Sequence, residues 1–161
     1  MAMTMTGEVE LAAPRETVWK MLNDPQVLKA CIPGCESLEM LSDNEFQAVA
    51  VNKVGPVKAR FKGKVRLTDI DPPNGYKISG EGDGGVAGFA KGGAAVSLAE
   101  KGAGTVLSYN VEAQIGGKLA QLGQRLVNGA AKKMADEFFT RFAAAVHAPA
   151  AQIANNPAGP T

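Results

Sequence analysis

The stretch Leu119–Val146, LAQLGQRLVNGAAKKMADEFFTRFAAAV, decides the fold. Its apolar residues Leu119, Leu122, Leu126, Ala130, Met134, Phe138, Phe142 and Ala145 recur at steps of three and four, which puts them on one face of an α-helix. Polar Gln121, Gln124, Arg125, Asn128, Lys132, Lys133, Asp136 and Arg141 fall largely off that face. Gly123, Gly129, Ala130 and Ala131 flank the first half of the stripe, so this half carries little bulk. Such a helix can lie on a sheet without filling the space beneath it. At a rise of about 1.5 Å per residue it would run about 40 Å.

Upstream the period changes. Thr4–Leu11 alternates as a strand, and Pro14-Arg15-Glu16-Thr17-Val18-Trp19 opens a helix that ends near Asn23-Asp24-Pro25. A second short helix, Pro25–Ala30, stops at Ile32-Pro33-Gly34. From Glu36 to Ile115 strand follows strand, divided by turn clusters at Ser42-Asp43-Asn44, Val54-Gly55-Pro56, Asp71-Pro72-Pro73-Asn74-Gly75 and Lys101-Gly102-Ala103-Gly104. The spacing leaves no room for helical crossovers, so the sheet is antiparallel. An antiparallel sheet with one apolar face needs a cover, and only Leu119–Val146 is long enough. The reading is therefore α+β and helix-grip: a curved antiparallel sheet wrapped around a long C-terminal helix, with two short helices after strand 1 closing one end of the groove. Residues 1–146 form one domain. The remainder, 147–161, HAPAAQIANNPAGPT, lacks an apolar period and is expected to be disordered.

With 45% apolar and 20% charged residues the chain has an ordinary globular balance, and a net charge of +1 gives no global pull toward nucleic acid or an anionic membrane. No basic leader precedes an apolar run and no segment approaches the ~20 apolar residues of a membrane span, so a cytoplasmic location is expected. The two cysteines, Cys31 and Cys35 in CIPGC, have one histidine in the whole chain, His147, to join them. No second Cys/His pair completes a metal site, and the spacing is not that of a redox C-x-x-C motif. Buried free thiols near a turn are expected.

Val57–Leu67 alternates strictly. One face carries Val57, Ala59, Phe61, Gly63, Val65 and Leu67; the other carries Lys58, Arg60, Lys62, Lys64 and Arg66. The cations read first as solvated surface offset by Glu8, Glu10, Asp43 or Glu45 on neighbouring strands, and second as a docking face for an acidic protein or anionic headgroups. Without interleaved aromatics they do not suggest a nucleic-acid surface. Gly80–Gly93, GEGDGGVAGFAKGG, holds seven glycines in fourteen residues. It lacks the G-K-[ST] ending of a phosphate loop and does not open a helix, so it reads as a hairpin forming a mobile lip, with Phe89 as its one large apolar side chain. A nucleophile–base–orienter triad has no base to build on, since the sole histidine falls in the tail. Glu81 or Tyr109 would be the candidates for proton transfer inside a groove.

Several segments together resemble the CoxG family, the G-type accessory component of carbon monoxide dehydrogenase. These are Ala12-Ala13-Pro14-Arg15-Glu16-Thr17-Val18-Trp19, Asp24-Pro25, Cys31-Ile32-Pro33-Gly34-Cys35, Val54 to Phe61 continuing to Asp69-Ile70, Gly88-Phe89-Ala90, and Tyr109 through Gly116 to Gly123. The ordered set CIPGC, VGPVKARFKG and IGGKLAQLG is the specific part; Pro-x-x-x-Val-Trp is shared by the wider START-like helix-grip (SRPBCC) superfamily, which binds apolar or aromatic ligands under the long helix. The resemblance implies a non-catalytic accessory protein of a molybdenum hydroxylase of the carbon monoxide dehydrogenase type, concerned with maturation, membrane recruitment or quinone-linked electron transfer. Family members often continue into an apolar C-terminal anchor. No apolar or basic amphipathic segment follows Pro149 here, so these residues are not expected to anchor a membrane directly.

The combined expectation is a binding protein with no covalent cofactor. A hydrophobic, ring-containing ligand such as a quinone, or a lipid, would sit against Ile32, Phe46, Phe61, Phe89, Tyr109, Leu122, Leu126, Met134 and Phe138. The hydroxylase complex would dock on Lys58, Arg60, Lys62, Lys64 and Arg66, with peripheral association at the inner face of the membrane as a companion expectation and no nucleic-acid partner. The competing readings are a docking or maturation adaptor without a ligand, and a cofactorless enzyme acting on a ring-containing substrate.

Overall fold

The computed structural model describes residues 1–147. Seven strands form one antiparallel sheet in the order β1-β7-β6-β5-β4-β3-β2. They are β1 (Ala2–Leu11), β2 (Cys35–Ser42), β3 (Glu45–Val54), β4 (Val57–Asp71), β5 (Gly75–Asp83), β6 (Phe89–Lys101) and β7 (Gly104–Gly116). Strands β2 to β7 are a meander, each hydrogen-bonded to the next, and β1 returns to pair with β7 from Ala2↔Gln114 to Leu11↔Thr105. The turns fall where Asp, Asn, Gly and Pro cluster, because these residues supply the required backbone angles or local hydrogen bonds.

Between β1 and β2 lie α1 (Arg15–Leu22) and α2 (Pro25–Cys31). Asp24 caps α2, its Oδ1 accepting from Gln26 N at 2.9 Å, and Pro25 occupies the first turn, where the missing N–H costs nothing. Their apolar faces, with Val18 and Leu22 of α1 and Cys31 of α2, meet Leu11, Tyr76, Leu98 and Leu107 of the sheet and Phe142 and Val146 of the C-terminal helix in one buried cluster. Thr105, buried among these, donates its hydroxyl to Ala13 O at 2.8 Å, so this polar group is not stranded. Trp19 meets Tyr76 edge-on at 5.5 Å.

The C-terminal helix departs from the expected unbroken rod. A single turn, α3 (Lys118–Gln121), precedes α4 (Gln124–His147), and the chain breaks at Gly123, where φ is +92°. That left-handed conformation suits glycine and ends the first turn. The break shifts the register of the apolar stripe: Val127, Phe142 and Val146 are the buried residues of α4, whereas Leu126 is 39% exposed and rests on Gly55 in the β3–β4 turn. His147 closes α4 instead of opening a disordered tail, and its Nε2 accepts from Ala12 N at 2.8 Å. The expectation of disorder for the tail otherwise concerns 148–161, which lie outside the described residues.

The glycine-rich segment forms the expected hairpin. Gly80–Asp83 completes β5 and Phe89–Gly93 begins β6, leaving a short connection with a 3-10 turn at Gly85–Ala87. Alternating glycines are tolerated in strands because the ladder uses only backbone groups; their effect is on what the sheet face lacks.

A candidate ligand groove

Strict alternation fixes which side chains face α4. Residues 3, 5, 7, 9 and 11 of β1, the odd residues of β7 and β4, and the even residues of β3, β5 and β6 share the inner face through the pairing register. Two apolar clusters close the ends of this face. One is the α1–α2 cluster already described. The other gathers buried Met3, Ile115, Leu119 and Val127 at the start of α4, with Val54, Val57, Phe61 and Leu122 packed around them. Phe61 lies beneath Gly84 of the β5–β6 connection, where a methyl group would come within 2.5 Å of its ring.

Between the clusters the floor is made of small residues. Ala48 pairs with Gly63, Gly63 with Gly82, and Gly80 with Gly92. A methyl group placed on Gly82 would meet no atom within 4 Å, and one on Gly63 would meet only the carbonyl oxygens of Glu81 and Ala48, so no side chain of α4 rests on these two positions. Met134, half-buried on α4, belongs to neither cluster, and Phe46, Ala50 and Val65 of β3 and β4 are likewise half-buried. Phe138 packs on the first cluster, stacked on Phe142 at 5.8 Å. The β3–β6 half of the inner face is therefore apolar and, at Gly63 and Gly82, left uncovered by α4.

Asn52 is the one polar side chain on the inner face of β3 and β4 between Phe46 and Leu67, and its Nδ2 donates to Pro33 O at 3.3 Å, tying the CIPGC turn to the sheet. Tyr76 lies deeper, in the first cluster, and burial pushes its phenol up to about 12. Cys31 is buried and Cys35 half-buried, both free; burial pushes the Cys31 thiol up, opposed by the Arg141 guanidinium. Among the described residues no group of three or more His, Cys, Asp and Glu side chains could hold a metal ion.

Of the residues expected to line the groove, Phe46 and Phe61 stand half-buried on the inner face, Phe138 packs on the first cluster, Met134 is half-buried on α4, and Leu122 packs in the cluster at the start of α4. Ile32 sits half-buried in the turn after α2, at the edge beside β2. Tyr109 faces inward, but its ring covers Gly7 of β1 and stacks on Phe139 at 5.2 Å, so it fills the closed half of the sheet. Leu126 is displaced by the Gly123 break. Phe89 must be reassigned outright: as an odd residue of β6 it points to the outer face, 47% exposed, with its ring against Gly116. Glu81 is exposed on the same outer face, which removes it as a groove acid. Of the small floor residues, Gly63 was legible in the alternation of Val57–Leu67, whereas Ala48, Gly80, Gly82, Gly92 and Ala94 were not picked out; the signal was the spacing of Gly80 and Gly82, which places both on one face of β5.

The five cations of β4 all stand exposed on the outer face. Arg60 pairs with Glu36 at 3.1 Å and Arg66 with Glu45 at 3.0 Å, so the adjacent β2 and β3 supply the offsetting carboxylates. Glu10 instead pairs with Lys101. Lys58, Lys62 and Lys64 form no ion pair among the described residues. No helix among the described residues is long and apolar enough to cross a membrane.

An antiparallel sheet packed against a long C-terminal helix, with two short helices after its first strand, is the helix-grip fold. The family model for CoxG, the G component of carbon monoxide dehydrogenase, matches residues 7–147, and the chain belongs to that family. Among solved structures, a conserved protein from Geobacillus kaustophilus is similar at 34% identity and a TM-score of 0.85, over 89% of this chain and 95% of that one. A START superfamily protein from Mycobacterium smegmatis shares the fold at 14% identity and a TM-score of 0.69, covering 89% and 96% of the two chains. A Chromobacterium violaceum protein does so at 18% identity and a TM-score of 0.66, covering 91% and 99%. No functionally curated protein matches the chain.

Proposed function

We propose that this chain is a non-catalytic accessory protein of a molybdenum-containing hydroxylase of the carbon monoxide dehydrogenase type, and that its groove holds a hydrophobic, ring-containing ligand such as a quinone. The carrying observation is the uncovered floor: a methyl group on Gly82 would meet no atom within 4 Å and one on Gly63 only backbone carbonyl oxygens, while Phe46, Phe61 and Val65 stand half-buried on the same inner face. Native interiors are close-packed, so an open apolar space of this kind is costly unless something occupies it. Family membership supports the accessory role. A quinone carrier would serve electron transfer or recruitment to the cytoplasmic face of the membrane, since a quinone must leave the bilayer to reach a soluble dehydrogenase.

The test is native mass spectrometry with lipid extraction of the purified protein, paired with thermal unfolding in the presence of a short-chain menaquinone analogue. A ligand at 100 times its dissociation constant stabilises the folded state by about 2.7 kcal/mol. A bound quinone or lipid and a clear rise in melting temperature are expected. A protein that purifies empty and does not respond to the analogue overturns the carrier reading.

A further inference from the structure

Two turns of the sheet meet the start of the C-terminal helices at one end of the molecule. The β3–β4 turn at Gly55-Pro56 touches Leu126 of α4, whose side chain a methyl group on Gly55 would strike. The β5–β6 connection packs the backbone of Gly88 against Gly117, the residue before α3, and sets Gly84 against Phe61 near the start of β4. Apolar side chains project from this end: Val86 in the β5–β6 connection is 86% exposed, Leu126 is 39% exposed, and Pro56 is exposed beside it.

The charge at the same end is positive with every acid counted. Lys53 and Lys58 stand directly opposite each other across β3 and β4, both exposed. Like charges so placed destabilise a strand pair. Neither forms an ion pair among the described residues, nor do Lys118 at the start of α3 and Arg125 in the first turn of α4. The strand ends and helix starts that meet here carry two carboxylates, Glu36 and Asp83, and both are matched. Glu36 pairs with Arg60 at 3.1 Å; Asp83 stands opposite Lys62 and accepts from Gly85 N at 2.7 Å. One step inward, Glu81 stands opposite both Lys64 and Lys91.

Apolar tips on separate turns, flanked by unmatched cations, fit an anionic lipid surface. Lipid phosphates can meet the cations while the tips reach the acyl boundary, and a fluid surface needs no shape complementary to each turn. The uncovered floor lies directly behind the same turns, because Gly82 is the second residue before Gly84 and Gly63 pairs with Gly82. We infer that this end docks on an anionic bilayer, with Val86 and Leu126 at the acyl boundary and Lys53, Lys58, Lys118 and Arg125 on lipid phosphates. The inference deepens the carrier reading above and rests on it for its purpose: docking sets the uncovered floor beside the source of a quinone.

The experiment is cosedimentation of the full chain with vesicles of phosphatidylcholine alone and of phosphatidylcholine mixed equally with phosphatidylglycerol, at low and high salt. Wild type is compared with Lys53→Glu/Lys58→Glu, Val86→Asp and, as a control with the same change in net charge at the α1 end, Lys20→Glu/Lys101→Glu, each checked for an unchanged thermal melt. Wild type should bind the mixed vesicles in a salt-sensitive way. The Lys53/Lys58 variant should bind them at least about tenfold more weakly and Val86→Asp at least about threefold, with the control within about twofold of wild type. No binding of wild type to mixed vesicles, or binding that neither end variant changes, overturns the docking surface. A control that falls as far as the Lys53/Lys58 variant overturns it too, since net charge alone would then explain the loss. Binding of the carbon monoxide dehydrogenase-type hydroxylase of the same organism that depends on Lys53 and Lys58, without vesicle binding, overturns it in favour of a protein partner. The carrier reading is scored separately by the thermal response to the short-chain menaquinone analogue in the absence of vesicles. A response without vesicle binding leaves the carrier and removes this surface, and vesicle binding lost in the end variants without a response leaves this surface and removes the carrier.

Discussion

Strands β7 and β4 carry the same alternation and end in different environments. On β7 the inward Thr105, Leu107 and Ile115 are 1%, 1% and 8% exposed, with Tyr109, Val111 and Ala113 half-buried between them, whereas every inward residue of β4 from Val57 to Leu67 is half-buried and none is buried. Alternation decides which face a side chain takes; it does not decide whether anything covers that face. The cover comes from α4, which packs mainly along β1 and the α1–α2 pair and reaches β3 only near its start. One half of the sheet is thus a conventional core and the other is a groove wall, and the same molecule teaches the difference between an apolar surface and a buried one.

The contrast breaks most readily by truncation in each half. Phe142 is fully buried in the closed half, so Phe142→Ala should cost about 3–5 kcal/mol of unfolding free energy, while Phe46→Ala on the groove wall should cost less than about half of that. Urea unfolding of the two variants measures both, and equal losses would mean that the groove half is as well packed as the core. A second effect belongs to the closed half alone. The folded phenol of Tyr76 sits at about 12, above its usual 10, so the unfolded chain releases this proton first as pH rises. Its contribution is present in full below pH 10 and is lost through about pH 12, a change of about 2–3 kcal/mol. Melting temperatures from pH 9 to 12 should fall more steeply for wild type than for Tyr76→Phe, and parallel curves would show Tyr76 to be less deeply held. The smallest stability effect is expected in the open half: Gly82→Leu enters empty space at a strand position and should change stability by less than about 1 kcal/mol. The same variant should abolish the thermal response to a menaquinone analogue. A large destabilisation instead would show that the floor of the groove is already occupied by protein.

Much of the fold was legible from local chemistry. The alternation of Val57–Leu67, the turn clusters, Pro14 and Asp24-Pro25 mark the strands and the short helices, because backbone geometry is set by neighbours in sequence. The errors arose where a choice depended on distant contacts. Leu126 fits the helical period as well as Val127 does, and only the bend at Gly123 decides between them. Phe89 reads as a groove residue because a large apolar side chain near a loop normally turns inward, but the register Phe89↔Gly116 puts it outside, where Gly116 leaves room for its ring. His147 reads as tail by composition and is held as helix by its bond to Ala12 N, a partner 135 residues away.

By itself the sequence determined the alternation, the turns, the order of elements and the family, because each rests on residues close along the chain or on ordered motifs. Tertiary structure alone decided which half of the sheet α4 covers, that Gly63 and Gly82 lie on uncovered floor, and that Phe89 and the unpaired lysines share one outer surface. The physical reason is that sequence periodicity carries the direction of a side chain, whereas packing depends on the path of a helix whose axis is set by a bend at one glycine and by contacts with strands and helices far away along the chain.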